Sequence, residues 1–586
     1  MTAARPDFSL SSQNPSTRLP LRHLNTADAF LLICVVGLAV LAGNSVRHML
    51  APLLAAPAQG PIHLDILYLP GYALRTTLRM FAALGLSLVF TFFYATLAAK
   101  SRRAAQILVP LLDILQSIPI LGFLSFTVTF FLGLFPGQVL GAELAAIFTI
   151  FTSQAWNMAF GMYQSLRSVP TELEEAARGF GLTAWQKFWR LEVPCSIPSL
   201  VWNSMMSMAG GWFMVVYSET LTVGNTQIAL PGIGSYVGVA ISQQNIGAVL
   251  AAILAMMVII LAYDQVLFRP LTVWASRFRL ETTVQDEVLA EPWVLRLLRR
   301  SRVLRASINL FLSFMRKIGS LPLGRRQERF QSSQTTVSKR LSDGLWWGAL
   351  GLIFLCALEQ AWVYGSSAYT LGQIGHVVVL GFYTLLRVVS MLCLASLIWV
   401  PVGVWLGLKP ARAHRAQLIV QYCAAFPANL FFPIFVGGII YFHLAPDIWL
   451  TPLMMLGAQW YILFNVIGGT SSFPPNLLEV GENFEVKGLL WWRKIILPGI
   501  TPYYLTGALA ASGGAWNAAI ASEVAQWGNV TLKAHGLGAY IAQATTEGDI
   551  SEVALGVVVM ALFVLILNWL VWRPLSDYAH RRLKLT

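Results

Sequence analysis

Long apolar stretches alternate with short polar ones along nearly the whole chain. Residues 27–46 hold one acid, Asp28, and residues 557–572 carry no charge. Segments of this length match the roughly 30 Å hydrocarbon core of a bilayer. The pattern predicts helices near 27–46, 74–99, 107–134, 139–162, 197–223 and 246–268, and a second set near 345–364, 377–408, 418–442, 449–467, 500–524 and 553–572. Twelve crossings are therefore expected.

The polar intervals are basic. Residues 272–343 contain 14 Lys or Arg against 6 Asp or Glu. Lys100, Arg102 and Arg103, then Lys409, Arg412 and Arg415, then Arg573, Arg581, Arg582 and Lys584 all fall on one side if both termini are inside. This divides the chain into a cytoplasmic N-terminal tail (1–26), a six-helix domain (27–271), a basic cytoplasmic linker (272–343), a second six-helix domain (344–575) and a cytoplasmic C-terminal tail (576–586). Within the linker, leucines and arginines over 294–312 fit a helix on the inner membrane surface or a solvated tether equally well.

The two domains are copies of each other. A constant offset carries Ser168 onto Ser472, Pro170 onto Pro474, Glu175 onto Glu479, Pro194 onto Pro498, Trp212 onto Trp516, Glu219 onto Glu523, Gly232 onto Gly536, Gly234 onto Gly538 and Arg269 onto Arg573. Upstream the offset grows by four residues, matching Arg79 with Arg387 and Pro119 with Pro427. Equal crossing numbers give both halves one orientation, hence a pseudo-two-fold axis along the membrane normal. The expected fold class is an all-α integral membrane protein with two tandem six-helix domains.

Composition narrows the function. The chain is 56% hydrophobic and 11% charged, too little charge for a soluble surface, and its net charge of +13 sits in inside loops rather than in a nucleic-acid face. The five cysteines show no pairing or zinc spacing. The first apolar run is too long, and starts too late, for a secretory leader, so it is expected to be retained.

The loop between the fourth and fifth predicted helices begins with Pro170 and an acid-rich turn. It continues through Glu175, Ala176, Ala177 and Gly181 to Pro194. Small alanines leave a face open for packing, Gly181 is placed to stop the helix, and Pro194 is expected to end a second short helix. The second copy keeps Glu479 and Pro498, replaces the alanines by Val480 and Gly481, and has Glu485 where Gly181 stands.

These residues resemble the cytoplasmic coupling loop of binding-protein-dependent ABC importer permeases, whose E-A-A-x-x-x-G segment Glu175, Ala176, Ala177 and Gly181 match. The resemblance implies type I importer permease domains. It also implies two ATPase subunits gripping loops 170–194 and 474–498, unequally given the second loop's departures, and a periplasmic or lipid-anchored solute-binding protein. The stretches after the loops resemble the nitrate, sulfonate and taurine branch, which implies a small-anion substrate and a multi-pass location in the bacterial inner membrane.

Candidate pathway groups are Arg79, Arg387, Trp212, Glu219, Trp516 and Glu523, because ionisable side chains in apolar helices tend to face a cavity or a partner. For the arginines, anion attraction competes with snorkelling or pairing with a nearby acid. For the glutamates, a pathway role competes with bracing the glycine loops at 232–234 and 536–538. Asp113, Gln116 and Ser117 fit a cavity lining or a clamp between helices. There is no phosphate-binding loop, no catalytic constellation, and no cofactor or metal set, so the chain is not expected to be an enzyme and energy must come from partners. A twelve-helix transporter driven by an ion gradient remains the alternative.

Overall fold

The computed structural model describes residues 62–117, 120–223, 226–278, 293–323, 336–473 and 475–582, with isolated positions 37 and 43. The expected first span at 27–46 otherwise lies outside the described residues. The first half opens with α1 (Leu69–Lys100), α2 (Arg102–Ser117), α3 (Leu124–Leu134) and α4 (Val139–Arg167). An elbow follows, made of α5 (Thr171–Gly179) and α6 (Ala184–Lys187), and then α7 (Val193–Ser218). A hairpin of β1 (Thr220–Val223) and β2 (Thr226–Ala229) leads to α8 (Ile233–Ser242), α9 (Ile246–Tyr263) and α10 (Arg269–Ala275). The linker contributes α11 (Trp293–Arg300) and α12 (Arg302–Ser320).

The second half repeats the order. It runs through α13 (Thr336–Ala368), α14 (Leu371–Gly407), α15 (Pro410–Ala425), α16 (Phe432–Tyr441), α17 (Pro446–Trp449) and α18 (Thr451–Ser471). Its elbow is α19 (Pro475–Asn483) and α20 (Gly488–Trp491), followed by α21 (Leu497–Ser522). The hairpin of β3 (Val524–Trp527) and β4 (Val530–Lys533) precedes α22 (Leu537–Glu547), α23 (Ile550–Leu567) and α24 (Arg573–Arg582). Among the described residues seven helices are long and apolar enough to cross a membrane, and the bent pair at 411–441 would make eight. The other expected passes are α7, α21 and the broken pair α2 and α3, which are shorter or richer in polar residues.

Three expectations are corrected. The helices expected at 107–134 and 418–442 are each broken, and in the second half the two pieces meet at 74° around Pro427, whose backbone is extended. Proline cannot donate to the helical ladder, and a break inside a bilayer frees backbone groups that need new partners. At the first break the opposite half supplies one, Asn517 Oδ1 accepting the Ile120 N–H at 2.7 Å; at the second, the Asn429 side chain reaches across in return and its Nδ2 donates to the Phe213 carbonyl of α7 at 3.2 Å. The helices expected at 197–223 and 500–524 end at Ser218 and Ser522 and give way to antiparallel hairpins, pairing Thr220 with Ala229 and Val524 with Lys533. Among the described residues two small hairpins thus interrupt the run of helices.

Third, Pro194 and Pro498 do not end helices. Each stands in the first turn of a membrane helix, after a π turn at Phe188–Glu192 or Trp492–Ile496 that keeps the chain helical. The π turn before each proline already replaces the i→i−4 ladder by longer i→i−5 bonds, as from the Val193 N–H to the Phe188 carbonyl, so a residue without an N–H is accommodated there.

In each half three long helices form the body, α1, α4 and α7 in one and α14, α18 and α21 in the other. The broken helices are exchanged. Ile120 and Leu121 belong to the hydrophobic core of the second half, and Leu430 to that of the first.

Candidate functional site

The first elbow is built on a helix end that only certain residues can make. After α5, the Leu182 N–H donates to the Ala177 carbonyl and the Gly181 N–H to the Arg178 carbonyl, at 3.1 and 2.9 Å. This six-to-one and five-to-two pairing requires a left-handed residue, and Gly181 has φ of +64°. The second elbow makes the same turn, with Val486 donating to Gly481 and Glu485 to Glu482 at 2.9 and 3.0 Å. Glu485 adopts φ of +49°, so a side chain occupies the conformation a glycine takes in the other half. The departure seen in the sequence leaves the backbone shape intact.

Glu175, Ala176 and Glu479 are exposed, whereas Ala177 and its counterpart Gly481 are buried. Only one of the two alanines therefore provides a packing face. A Cβ on Gly481 would lie 2.6 Å from Ile495 Cδ1, which accounts for the smaller residue. Between the helices of each elbow a phenylalanine stands out into solvent: Phe180 is 83% exposed and its equivalent Phe484 is 78% exposed.

The interiors of the elbows differ. In the first, Lys187 Nζ lies 2.8 Å from Glu174 and 3.5 Å from Glu192, and Lys100 at the end of α1 also pairs with Glu192. The hydrogen bond from Lys187 holds the Glu174 carboxyl below its ordinary range. In the second elbow the equivalent positions are Ile496, in the hydrophobic core, and Leu408, Leu478 and Trp491, packed against it. One elbow is held to its membrane helices by charge and the other by apolar packing.

At the opposite ends of α7 and α21 lie the candidate pathway groups. Glu219 is the C-cap of α7, where the helix dipole disfavours a carboxylate, and it is fully buried. Arg79 offsets both costs. Its Nη1 donates to Glu219 Oε1 at 2.7 Å, while Nε and Nη2 grip Glu143 at 2.6 and 2.7 Å. Thr76 donates to Glu219 at 2.7 Å and accepts the Ile233 N–H at 3.0 Å, and Glu219 Oε2 accepts the Gly234 N–H at 2.7 Å. The clamp thus caps α8 from outside, because its own N-cap is Gly232 and has no side chain to offer.

The second half repeats the clamp. Glu523 accepts from Thr384, Arg387 and the Ala539 N–H at 2.8, 2.9 and 3.1 Å, and Thr384 accepts the Leu537 N–H at 2.8 Å. Asp447 replaces Glu143 and lies 3.0 Å from Arg387, with His535 also on that carboxylate. Arg79 is 1% exposed and Arg387 8% exposed. Both arginines pair with acids, and the glutamates brace the glycine loops. Trp212 and Trp516, on the same helices, are packed in the core of their halves, Trp212 edge-on to Tyr263.

Glu143, Asp447, Thr76 and Thr384 were not singled out by the sequence, although the repeat offsets pair them as they pair Arg79 with Arg387. The side chains of Asp113 and Ser117 lie outside the described set, and Gln116 is exposed.

The model of the family described as binding-protein-dependent transport system inner membrane component matches twice, at residues 87–268 and 399–581. The chain belongs to this family. Both permease domains contain an elbow, a clamp glutamate and a hairpin. Relatives include the glycine betaine/carnitine transport permease protein of Listeria monocytogenes, 29% identical over 168 residues, which are 28% of this chain and 54% of that protein. The nitrate import permease protein of Leptolyngbya laminosa is 26% identical over 188 residues, 32% of this chain and 64% of that protein. The bicarbonate transport system permease protein of Synechocystis is 26% identical over 182 residues, 31% of this chain and 62% of that protein. The matches thus span about half to two thirds of these relatives.

The two permease domains also meet through a polar cluster. Tyr422 Oη and Gln421 Nε2 on α15 donate to Asp264 at 2.8 and 3.1 Å, and Asp264 pairs with Arg269 at 3.2 Å. Beside it a cavity opens between the domains, lined by Met205, Met208, Trp212, Tyr263, Gln421 and Tyr461 among others.

Proposed function

We propose that this chain supplies both permease domains of an ABC importer, working in the inner membrane with both termini inside. Two ATPase subunits grip the elbows, and their closure on ATP swings the domains between inward- and outward-facing states. A solute-binding protein delivers the ligand from the other side. This is a two-state rigid-body motion biased by both ATP and ligand.

The observation that carries the reading is the exposed pair Phe180 and Phe484, held at the same place on the same left-handed turn in both elbows. Large apolar residues left in solvent on otherwise different surfaces are suited to a partner's cleft. Nitrate and bicarbonate permeases stand among the relatives beside betaine ones, and of these classes we assign this chain a small anion such as nitrate, a sulfonate or a similar oxyanion. Since both clamp arginines already hold acids, selection of that solute falls to the binding protein rather than to Arg79 and Arg387.

Replacing both Phe180 and Phe484 by alanine tests docking. Each buried aromatic anchor is worth on the order of 2 kcal/mol, about thirtyfold in affinity. The variant is expected to lose its ATPase subunits in nanodiscs while its melting temperature stays unchanged. Undiminished binding would remove the docking assignment.

A further inference from the structure

The end of the linker lies on the first elbow. Trp185 Nε1 donates to the carbonyl of Ile318 at 2.8 Å, and Gln186 Nε2 donates to that of Ser320 at 3.0 Å. Carbonyls in the last turn of a helix have no partner within it; that of Ile318 also takes the Leu321 N–H at 3.2 Å, and the two side chains complete the cap of α12 from another segment. Gly319 sits between them, where a Cβ would come within 3.1 Å of Trp189 Cβ. The missing side chain is what lets the linker approach so closely.

Gln186 serves both partners at once. Its Oε1 accepts the Thr183 N–H at 3.2 Å, closing the capping box of α6, while Nε2 holds Ser320. In the second elbow the equivalent residues are Leu489 and Leu490, which carry no donor and are exposed. The clasp is therefore written into one elbow only.

We propose that α12 is a strap on the first elbow, so that one chain presents two unlike docking surfaces. The first is a composite of elbow and linker, with Lys317 in the final turn of the strap. The second is the elbow where Phe484, Leu489 and Leu490 are exposed and, among the described residues, no such clasp is made. The consequence for a motor rests on the coupling reading above: an ATPase subunit at the first elbow touches the linker, and one at the second does not.

The clasp is tested on the full chain in nanodiscs by amide hydrogen exchange. The double variant Trp185→Phe and Gln186→Glu keeps the ring and the capping-box acceptor but removes both donors. Two lost hydrogen bonds at about 1 kcal/mol each predict exchange over 318–323 roughly thirtyfold faster, with 488–496 unchanged. Gly319→Val displaces the strap without altering the elbow and should give the same pattern. Unchanged exchange over 318–323 in both variants, or equal changes at both elbows, would overturn the strap. With an ATPase subunit bound, wild-type protection should extend over 316–320 together with the first elbow, and protection of both elbows without 316–320 would overturn the composite surface. Failure of the subunit to bind either elbow would sink the coupling reading alone, since exchange in the isolated chain reports the strap independently.

Discussion

Glu192 and Ile496 stand at the same place in the two halves and are both buried, 3% and 0% exposed, yet one is a carboxylate between two lysines and the other is core. The replacement is concerted. Lys100, Glu174 and Lys187 give way to Leu408, Leu478 and Trp491, so that four charges become four apolar groups. Duplication has kept the joint and changed the force that holds it.

The charged joint should therefore fail by halves. Removing one member, as in Lys187→Met, leaves Glu192 buried with less compensation and is expected to cost on the order of 3 kcal/mol. Substituting all four by their second-half counterparts should be neutral or stabilising. Thermal unfolding in detergent compares the two, and an equal loss in both would mean that the ion pairs carry no special cost.

The first elbow should also be the acid-sensitive one. Its Glu174 carboxyl is held down by Lys187, so its stabilisation is complete above the ordinary carboxylate range and is lost as pH falls through its depressed folded value. In difference infrared spectra against Glu174→Gln, the carboxylate band should persist to lower pH than that of a free glutamate. In a Lys187→Met background it should return to the ordinary range.

The left-handed turn makes opposite predictions for the two elbows. Glu485→Gly relieves a conformation that costs a side chain about 1 kcal/mol, and should slow local exchange around 482–486 about fivefold. Gly181→Ala imposes the same penalty on the first elbow and should speed exchange there by a similar factor.

The clamps should be unequal. Arg79→Leu strands two buried carboxylates and is expected to cost on the order of 3–5 kcal/mol, whereas Arg387→Leu costs less because Asp447 is half-exposed. Melting temperatures of the two variants order the sites, and equal losses would contradict the difference in burial.

The glycines beneath the clamps should be intolerant for one steric reason. A Cβ on Gly232 would stand 2.2 Å from Glu219 Cδ, and one on Gly536 would stand 2.3 Å from Glu523 Oε2. Alanine at either position is expected to cost about 1–3 kcal/mol by forcing the carboxylate aside. Gly133→Ala, with no atom within 4 Å of its Cβ, should leave stability unchanged or slightly improved.

The apolar spacing and the repeat made the passes and the two domains readable, and Glu175, Ala177 and Gly181 marked the first elbow. Periodicity could not show that α2 stops at Ser117 or that the second-half helix bends at 426–428, because an apolar run looks the same whether or not the helix continues through it. The hairpins were hidden for a similar reason: Thr220–Val223 and Val524–Trp527 are four residues each and continue the composition of the helices before them. Arg79 could be read as a lure for anions or as a partner for an acid, and the positions of Glu143 and Glu219, 64 and 140 residues away, decide for the acid. Glu485 looked like a defect in the motif because sequence shows the lost glycine and not the retained φ.

The coupling proposed for the elbows depends on their facing the cell interior. In a background lacking the five native cysteines, Glu175→Cys and Glu479→Cys can each be labelled with a membrane-impermeant thiol reagent in right-side-out and inverted vesicles. Both positions should react only in inverted vesicles. Reaction of either in right-side-out vesicles would place an elbow outside, beyond the reach of any ATPase, and would contradict the coupling mechanism.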